Sequence, residues 1–339
     1  MPGRAERQKK AIHMTTTSFA VASAIFPETA IDDRDGLVGP WRAPRQMLAD
    51  QSYDDHTSIH DDATAQKLGF KGGTIEGATH FSQFVPLAVA AWGPRWLETG
   101  CISAHYRAPA YEGEEVRAHM ARVAPGQAIA EIWMEKADGT EVLRGTCSIG
   151  PDHPESALDK RLASLASIDE PVILEGIEIR TTTSRRTVSM GFDQHMGHLY
   201  PFTLRQKLDV ITEPSPCYTE APAGSPLGRA IIPFEMMSVL LNHAWGEGES
   251  FYRRGPVVGL FADQEIRLHD GPLFVGDTYE IDREVVAISG SRRTESLWIK
   301  TRVFHPKGDR PIATMLLNQA IMKDSYQDYA SERAQLYGD

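Results

Sequence analysis

Cysteine is scarce: Cys101, Cys147 and Cys217 are the only three in 339 residues. An odd number without paired spacing frames neither a disulfide scaffold nor a zinc site, and it suits a reducing cytoplasm. Long apolar runs are missing too. No stretch approaches the ~18 uninterrupted apolar residues that a membrane-crossing helix needs. Basic charge is in deficit, with 35 Lys and Arg against 46 Asp and Glu and a net charge of −11. A nucleic-acid backbone is therefore not an expected partner. Basic pairs do occur at Arg185–Arg186, Arg253–Arg254 and Arg292–Arg293. Such pairs are ordinarily solvated surface, although one could meet the anionic tail of a carrier. The opening stretch MPGRAERQKKAIHMTTTSFA is basic and then polar, with no apolar h-region before a small-residue cleavage site. Residues 1–18 are expected to be a disordered leader, and Met14 could serve as an alternative start.

What is present is enough apolar material, 41% of the chain, to fill one large core or two ordinary ones. The chain also repeats itself. TIEGATHFSQFVPLAVAAWG ends at Trp92-Gly93, and GRAIIPFEMMSVLLNHAWG ends at Trp245-Gly246. With the Trp-Gly pairs superposed, Phe81 falls on Phe234 and Leu87 on Leu240. Both segments carry apolar residues at helical spacing, so each predicts one mostly buried helix. Pro233 suits a first turn, whereas Pro86 should bend the first helix or mark a late start. HYRAPAYEGEEVRAHMARV then matches HDGPLFVGDTYEIDREVV, with Pro109 on Pro272 and Gly113 on Gly276. Alternating runs follow in both, broken at Asp138-Gly139 and at Lys307-Gly308-Asp309, the pattern of antiparallel hairpins.

Each half thus predicts a long helix wrapped by a curved antiparallel sheet, an α+β unit. The expected organisation is an N-terminal unit over 19–150, a polar, proline-flanked and partly helical linker over 151–176, a C-terminal unit over 177–325 and a tail over 326–339. The two units would pack as an internal pseudo-dimer.

The halves disagree just before their helices. The first has QSYDDHTSIHDDATAQKLGFKGGTIEG, with Asp55, His56, His60, Asp61 and Asp62 close together, and the second has only SPCYTEAPAGSPLGRAI. A carboxylate beside an imidazole can hold and polarise a water, one taking a proton as the other returns one. Gly72, Gly73 and Gly77 lead into the helix, where free backbone N–H groups and the helix dipole favour developing negative charge. The same residues are also compatible with a solvated loop that caps the helix, or with a metal site, although no H-x-x-x-H helix or H-x-x-E-H motif is present. Asp193 and His198 repeat the spacing of five residues, but without a glycine-rich approach to a helix.

YDDHTSIHDDATAQKLGFKGGTIEGATHF resembles the signature of MaoC-like and (R)-specific enoyl-CoA hydratases. In that family an aspartate is followed five residues later by a histidine, then by an acid, an alanine and a glycine-led hot-dog helix. The resemblance implies a double hot-dog fold with Asp55 and His60 as the water-activating pair, Asp62 as the following acid and Ala65 as a packing residue. It also implies that the Gly77 N–H polarises a thioester carbonyl. Thr57, Glu76 and Ala78 join the candidate substrate contacts. Thr57-Ser58 replaces the usual asparagine-proline, and Glu76 stands where a histidine often precedes the glycine; these two departures leave the acyl group undefined.

The implied activity is a hydro-lyase acting on an acyl-CoA or acyl-carrier thioester, with no metal or redox cofactor, in a cytoplasmic protein that could pair as a homodimer. A hot-dog thioesterase and a non-catalytic acyl-binding protein are the alternatives. Phe81, Phe84 and Trp92 could line the acyl space, or simply fill the core.

Overall fold

The computed structural model describes residues 19–33, 35–53, 56–243, 251 and 253–338. Ten strands form one antiparallel sheet: β1 (Leu37–Arg42), β2 (Gly100–Tyr106), β3 (Val116–Met120), β4 (Ile129–Lys136), β5 (Glu141–Ile149), β6 (Arg186–Ser189), β7 (Gly259–Leu268), β8 (Thr278–Gly290), β9 (Thr294–Phe304) and β10 (Ala313–Met322). Their order across the sheet is β1-β3-β4-β5-β2-β7-β10-β9-β8-β6. Read inward from its two edges, the sheet gives the same connectivity twice, and the halves meet where β2 pairs with β7.

The register at that seam obeys the internal symmetry. Superposing Pro109 on Pro272 places Ile102 on Glu265 and Ser103 on Ile266. The observed pairs are Ile102 with Ile266 and Ser103 with Glu265, so exchanging the halves exchanges the two pairs. The strands form where the sequence alternates. In β3, Val116, Ala118 and Met120 face inward and are buried, while Arg117 and His119 between them are not. Gly139, at φ 83°, supplies the left-handed residue that closes the β4–β5 hairpin. Asp138 supports that turn by accepting the Thr140 N–H at 2.9 Å.

The first half's central segment begins as a 3-10 turn, Gly77–Phe84, and becomes α-helical over Val85–Trp92. The proline marks a late start: Pro86 falls in the first α turn, the part of a helix that best tolerates proline. Its counterpart is the helix Phe234–Asn242; Trp245 and Gly246 lie outside the described residues. Phe81 and Phe234, equivalent in the two copies, meet with ring centroids 6.4 Å apart. Phe81, Phe84, Leu87, Val89 and Leu240 belong to one core shared by both halves. No helix among the described residues is long and apolar enough to cross a membrane.

The stretch 151–176 is partly helical, its helix Ala157–Ala163 fixed by a capping box between Ser156 and Asp159. Beyond the sequence reading, it buries Val172, Ile173 and Leu174 completely, because these three apolar residues pack with Val285, Leu297 and Ile299 of the sheet. The expected tail contains the helix Tyr329–Tyr337, anchored by Tyr329 to Glu295 at 2.9 Å and by Glu332 to Arg254 at 2.8 Å. Residues 1–18 lie outside the described residues, whereas 19–25 are helical and bury Ala22.

Candidate active site

The acid-rich stretch divides its labour. Asp61 caps the helix Asp62–Lys67 by accepting the Thr64 N–H at 2.8 Å. Asp62 turns back and accepts the Gly73 N–H at 2.7 Å, so it shapes the loop and Ala65 is buried beneath it. The chain passes so near itself here that a Cβ on Gly73 would lie 2.0 Å from the His60 carbonyl oxygen. Gly73 is therefore required by close approach, and what it lets approach is His60.

The His60 ring is fixed from the same segment. Its Nδ1 lies 2.5 Å from the Thr74 carbonyl oxygen, which can only accept. The proton is thus on Nδ1, and Nε2 keeps a lone pair. Burial lowers the His60 pKa to about 4, against the opposing effect of that hydrogen bond. At neutral pH His60 is an uncharged, oriented base.

His60 lines a cleft of about 1350 Å³ together with Thr74, Glu76, Gly77, His80 and Tyr106 from the first half and His198, Tyr200 and Asn242 from the second. Gly77 opens the central 3-10 turn against the Tyr106 ring, and a Cβ there would come within 2.4 Å of it. Being first in the helix, the Gly77 and Ala78 N–H groups have no intrahelical acceptor. Tyr106 is held by its hydroxyl donating to Gln264 at 2.9 Å, a residue of β7. The second half therefore buttresses the wall against which Gly77 sits.

Glu76 occupies the N-cap position, yet its side chain caps nothing. It is 7% exposed, and the Tyr200 hydroxyl donates to it at 3.3 Å. Burial raises its pKa to about 7; Lys207 opposes the rise and Glu235 adds to it. Lys207, itself buried, sits 2.8 Å from Glu235 and 3.2 Å from the Thr79 hydroxyl. His80 is driven down to about 3, first by burial and then by Lys207 and Lys136.

Among the sequence candidates, Asp55 lies outside the described residues. His60, Glu76 and Gly77 come together on one cleft. Thr57 is not part of the cleft lining: its hydroxyl is 2.5 Å from that of Thr64 and 3.3 Å from Asp61, because it packs on the short helix that Asp61 caps. The Ala78 side chain is fully buried, leaving only its backbone for a substrate role. Phe81 and Phe84 are core residues, and Trp92 donates to the Gln127 carbonyl at 2.8 Å. The second acid–histidine pair is split: Asp193 forks Arg205 at 2.7 and 2.8 Å on the surface, while His198 lines the cleft. From the basic pairs, Arg253 and Arg293 line the cleft.

Sequence reading missed His80, Tyr106, Tyr200, Asn242 and the Lys207–Glu235 pair. The last carried a faint signal, a glutamate in a mostly apolar helix. Among the described residues no group of three His, Cys, Asp or Glu side chains is placed to hold a metal ion.

Neither a family model nor a curated protein matches the chain. Solved structures do. The conserved hypothetical protein RV0216 of Mycobacterium tuberculosis, which has a double hot-dog fold, aligns over 85% of this chain and 97% of its own, at 12% identity and a TM-score of 0.52. A MaoC-like dehydratase aligns over 89% and 99%, at 14% identity and a TM-score of 0.45. The dehydratase domain of RzxB from Pseudomonas fluorescens aligns over 87% and 97%, at 13% identity and a TM-score of 0.39. With a sheet that reads the same from both edges, two central helices packed on each other, and the likeness to RV0216, this chain has the double hot-dog fold.

Proposed function

We propose that the chain is a hydratase or dehydratase that adds water to, or removes it from, the Cα–Cβ bond of an acyl thioester. One observation carries this reading: an oriented neutral imidazole, His60, shares a large cleft with the glycine-led start of a buried helix at Gly77. A base for water and a backbone N–H for an enolate oxygen are the two groups that conjugate hydration of an enoyl thioester requires.

In the proposed reaction the thioester oxygen sits at the Gly77 N–H, with the helix N-terminus adding its partial positive charge. His60 Nε2 takes a proton from water, Asp55 orients that water, and the hydroxide adds at Cβ as charge moves onto the thioester oxygen. Every step uses side chains and backbone of this chain; coenzyme A or an acyl carrier is the handle of the substrate. Arg253 and Arg293 on the same cleft suit the phosphates of such a handle. The test is the enoyl absorbance of short, branched and long enoyl-CoA thioesters in the presence of the protein. Loss of absorbance that Asp55→Asn and His60→Gln both abolish supports the reading. Thiol release without hydration would replace it with a thioesterase, and no change on any thioester would leave an acyl-binding protein.

A further inference from the structure

The buried carboxylates around the central helices differ in their partners. Glu213 accepts from Arg42 at 2.9 and 3.0 Å, and Glu235 takes Lys207 at 2.8 Å. Glu76 is buried within electrostatic reach of the Lys207–Glu235 pair, and among the described residues no cation lies within salt-bridge distance of it. A carboxylate taken from water without a cation is costly, and the side chain meets that cost by keeping its proton. The Tyr200 hydroxyl, from the other half of the molecule, donates to Glu76 at 3.3 Å.

The position of Glu76 is equally specific. The carbonyl that fixes His60 belongs to Thr74, so His60 and Glu76 are tied to the same short stretch. Thr74 and Glu76 are two residues apart, roughly 7 Å in extended chain, and both line the cleft. Gly77 follows immediately. In the pose proposed here the thioester oxygen sits at the Gly77 N–H, with Cα on the Glu76 side of the carbonyl carbon and Cβ on the His60 side of the cleft that these three residues line.

We propose that Glu76 is a further catalytic residue, the acid that delivers the proton to Cα while His60 takes one from water. This rests on the hydratase reading above. Hydroxide forms the new Cβ–O bond, and the Cα–Cβ π pair moves to make the enolate held at Gly77. Collapse of that enolate forms the Cα–H bond with the Glu76 proton. The step leaves Glu76 as carboxylate and His60 as imidazolium, and one proton passing from the second to the first through water restores both. The resting forms, neutral His60 and protonated Glu76, are those that hydration needs; elimination uses the opposite pair.

The groups facing Glu76 are Tyr106 from β2, Tyr200, Lys207 and Glu235, and His80 lines the same cleft. None of them supplies a spare positive charge, since Lys207 is engaged by Glu235.

The experiment is crotonyl-CoA hydration, with longer and branched enoyl-CoAs in parallel, by wild type, Glu76→Gln and Tyr200→Phe across pH 5–9. Glu76→Gln is isosteric, and circular dichroism confirms that it folds. Its kcat should fall about 10²- to 10⁴-fold with KM little changed, as expected for loss of a positioned acid. Wild-type activity should decline as pH rises through about 7. Tyr200→Phe removes the hydrogen bond to Glu76 and should move that alkaline limb to higher pH. Wild-type turnover with an unimpaired Glu76→Gln and an unchanged limb overturns the proposal alone. No turnover of any thioester by wild type overturns the hydratase reading, and this proposal with it.

Discussion

The protonation of Glu76 can be weighed without any substrate, through stability. Its carboxyl titrates at 4.5 in an unfolded chain and at about 7 in the folded protein, burial being the main cause. The folded state therefore binds the proton more tightly, and stability from this group is fully present below pH 4.5 and is lost as pH rises through 7. At about 1.4 kcal/mol per pH unit over that window, the loss is about 3 kcal/mol. Because Glu76 is only 7% exposed, solvent screening removes little of it.

Glutamine at this position has the same shape and does not titrate, so subtracting variant from wild type removes every other group. Urea unfolding at half-unit steps from pH 4.5 to 8.5 should show Glu76→Gln gaining on wild type by about 3 kcal/mol across the range, most of it between pH 5 and 7. A difference that stays flat with pH would refute the reasoning, because Glu76 would then titrate alike in both states. A difference of opposite slope would mean that a cation reaches it.

Other outcomes follow from the same geometry. Gly77→Ala places a Cβ within 2.4 Å of the Tyr106 ring and should cost about 1–3 kcal/mol in urea unfolding, with activity falling too. Gly73→Ala crowds the His60 carbonyl at 2.0 Å; it should lower kcat for enoyl-CoA at least about tenfold through His60 displacement, visible as shifted His60 ring resonances. Lys207→Met strands Glu235 in the core and should destabilise by about 3–5 kcal/mol, read as a lowered urea midpoint at pH 7. Asp193→Asn, which breaks only a surface fork to Arg205, should leave thioester turnover unchanged; a large loss there would mean that the second acid–histidine pair, not the first, marks the site.

What the sequence by itself determined is the periodic part of this protein. Alternation marks a strand such as Val116–Met120 because its side chains alternate between core and surface. The duplication was visible because both copies must bury the same helix face, and Phe81 and Phe234 do meet. Gly73 and Gly77 were legible as an approach to the helix, and each sits at a close contact, Gly73 with the His60 carbonyl and Gly77 with the Tyr106 ring. Periodicity is silent where packing is set by a partner distant in sequence. Val172, Ile173 and Leu174 sit in a stretch that reads as polar, and only the sheet beneath shows that they are buried. The tertiary structure likewise decided which of several titratable side chains share a cleft. Thr57 turned to a helix cap, Asp193 to the surface, and Tyr200 and Lys207, from the other half, reached the first. The state of Glu76 is the clearest case. Its neighbours in sequence say nothing of its charge, which is set by burial and by a lysine, 131 residues further along the chain, already taken by another carboxylate.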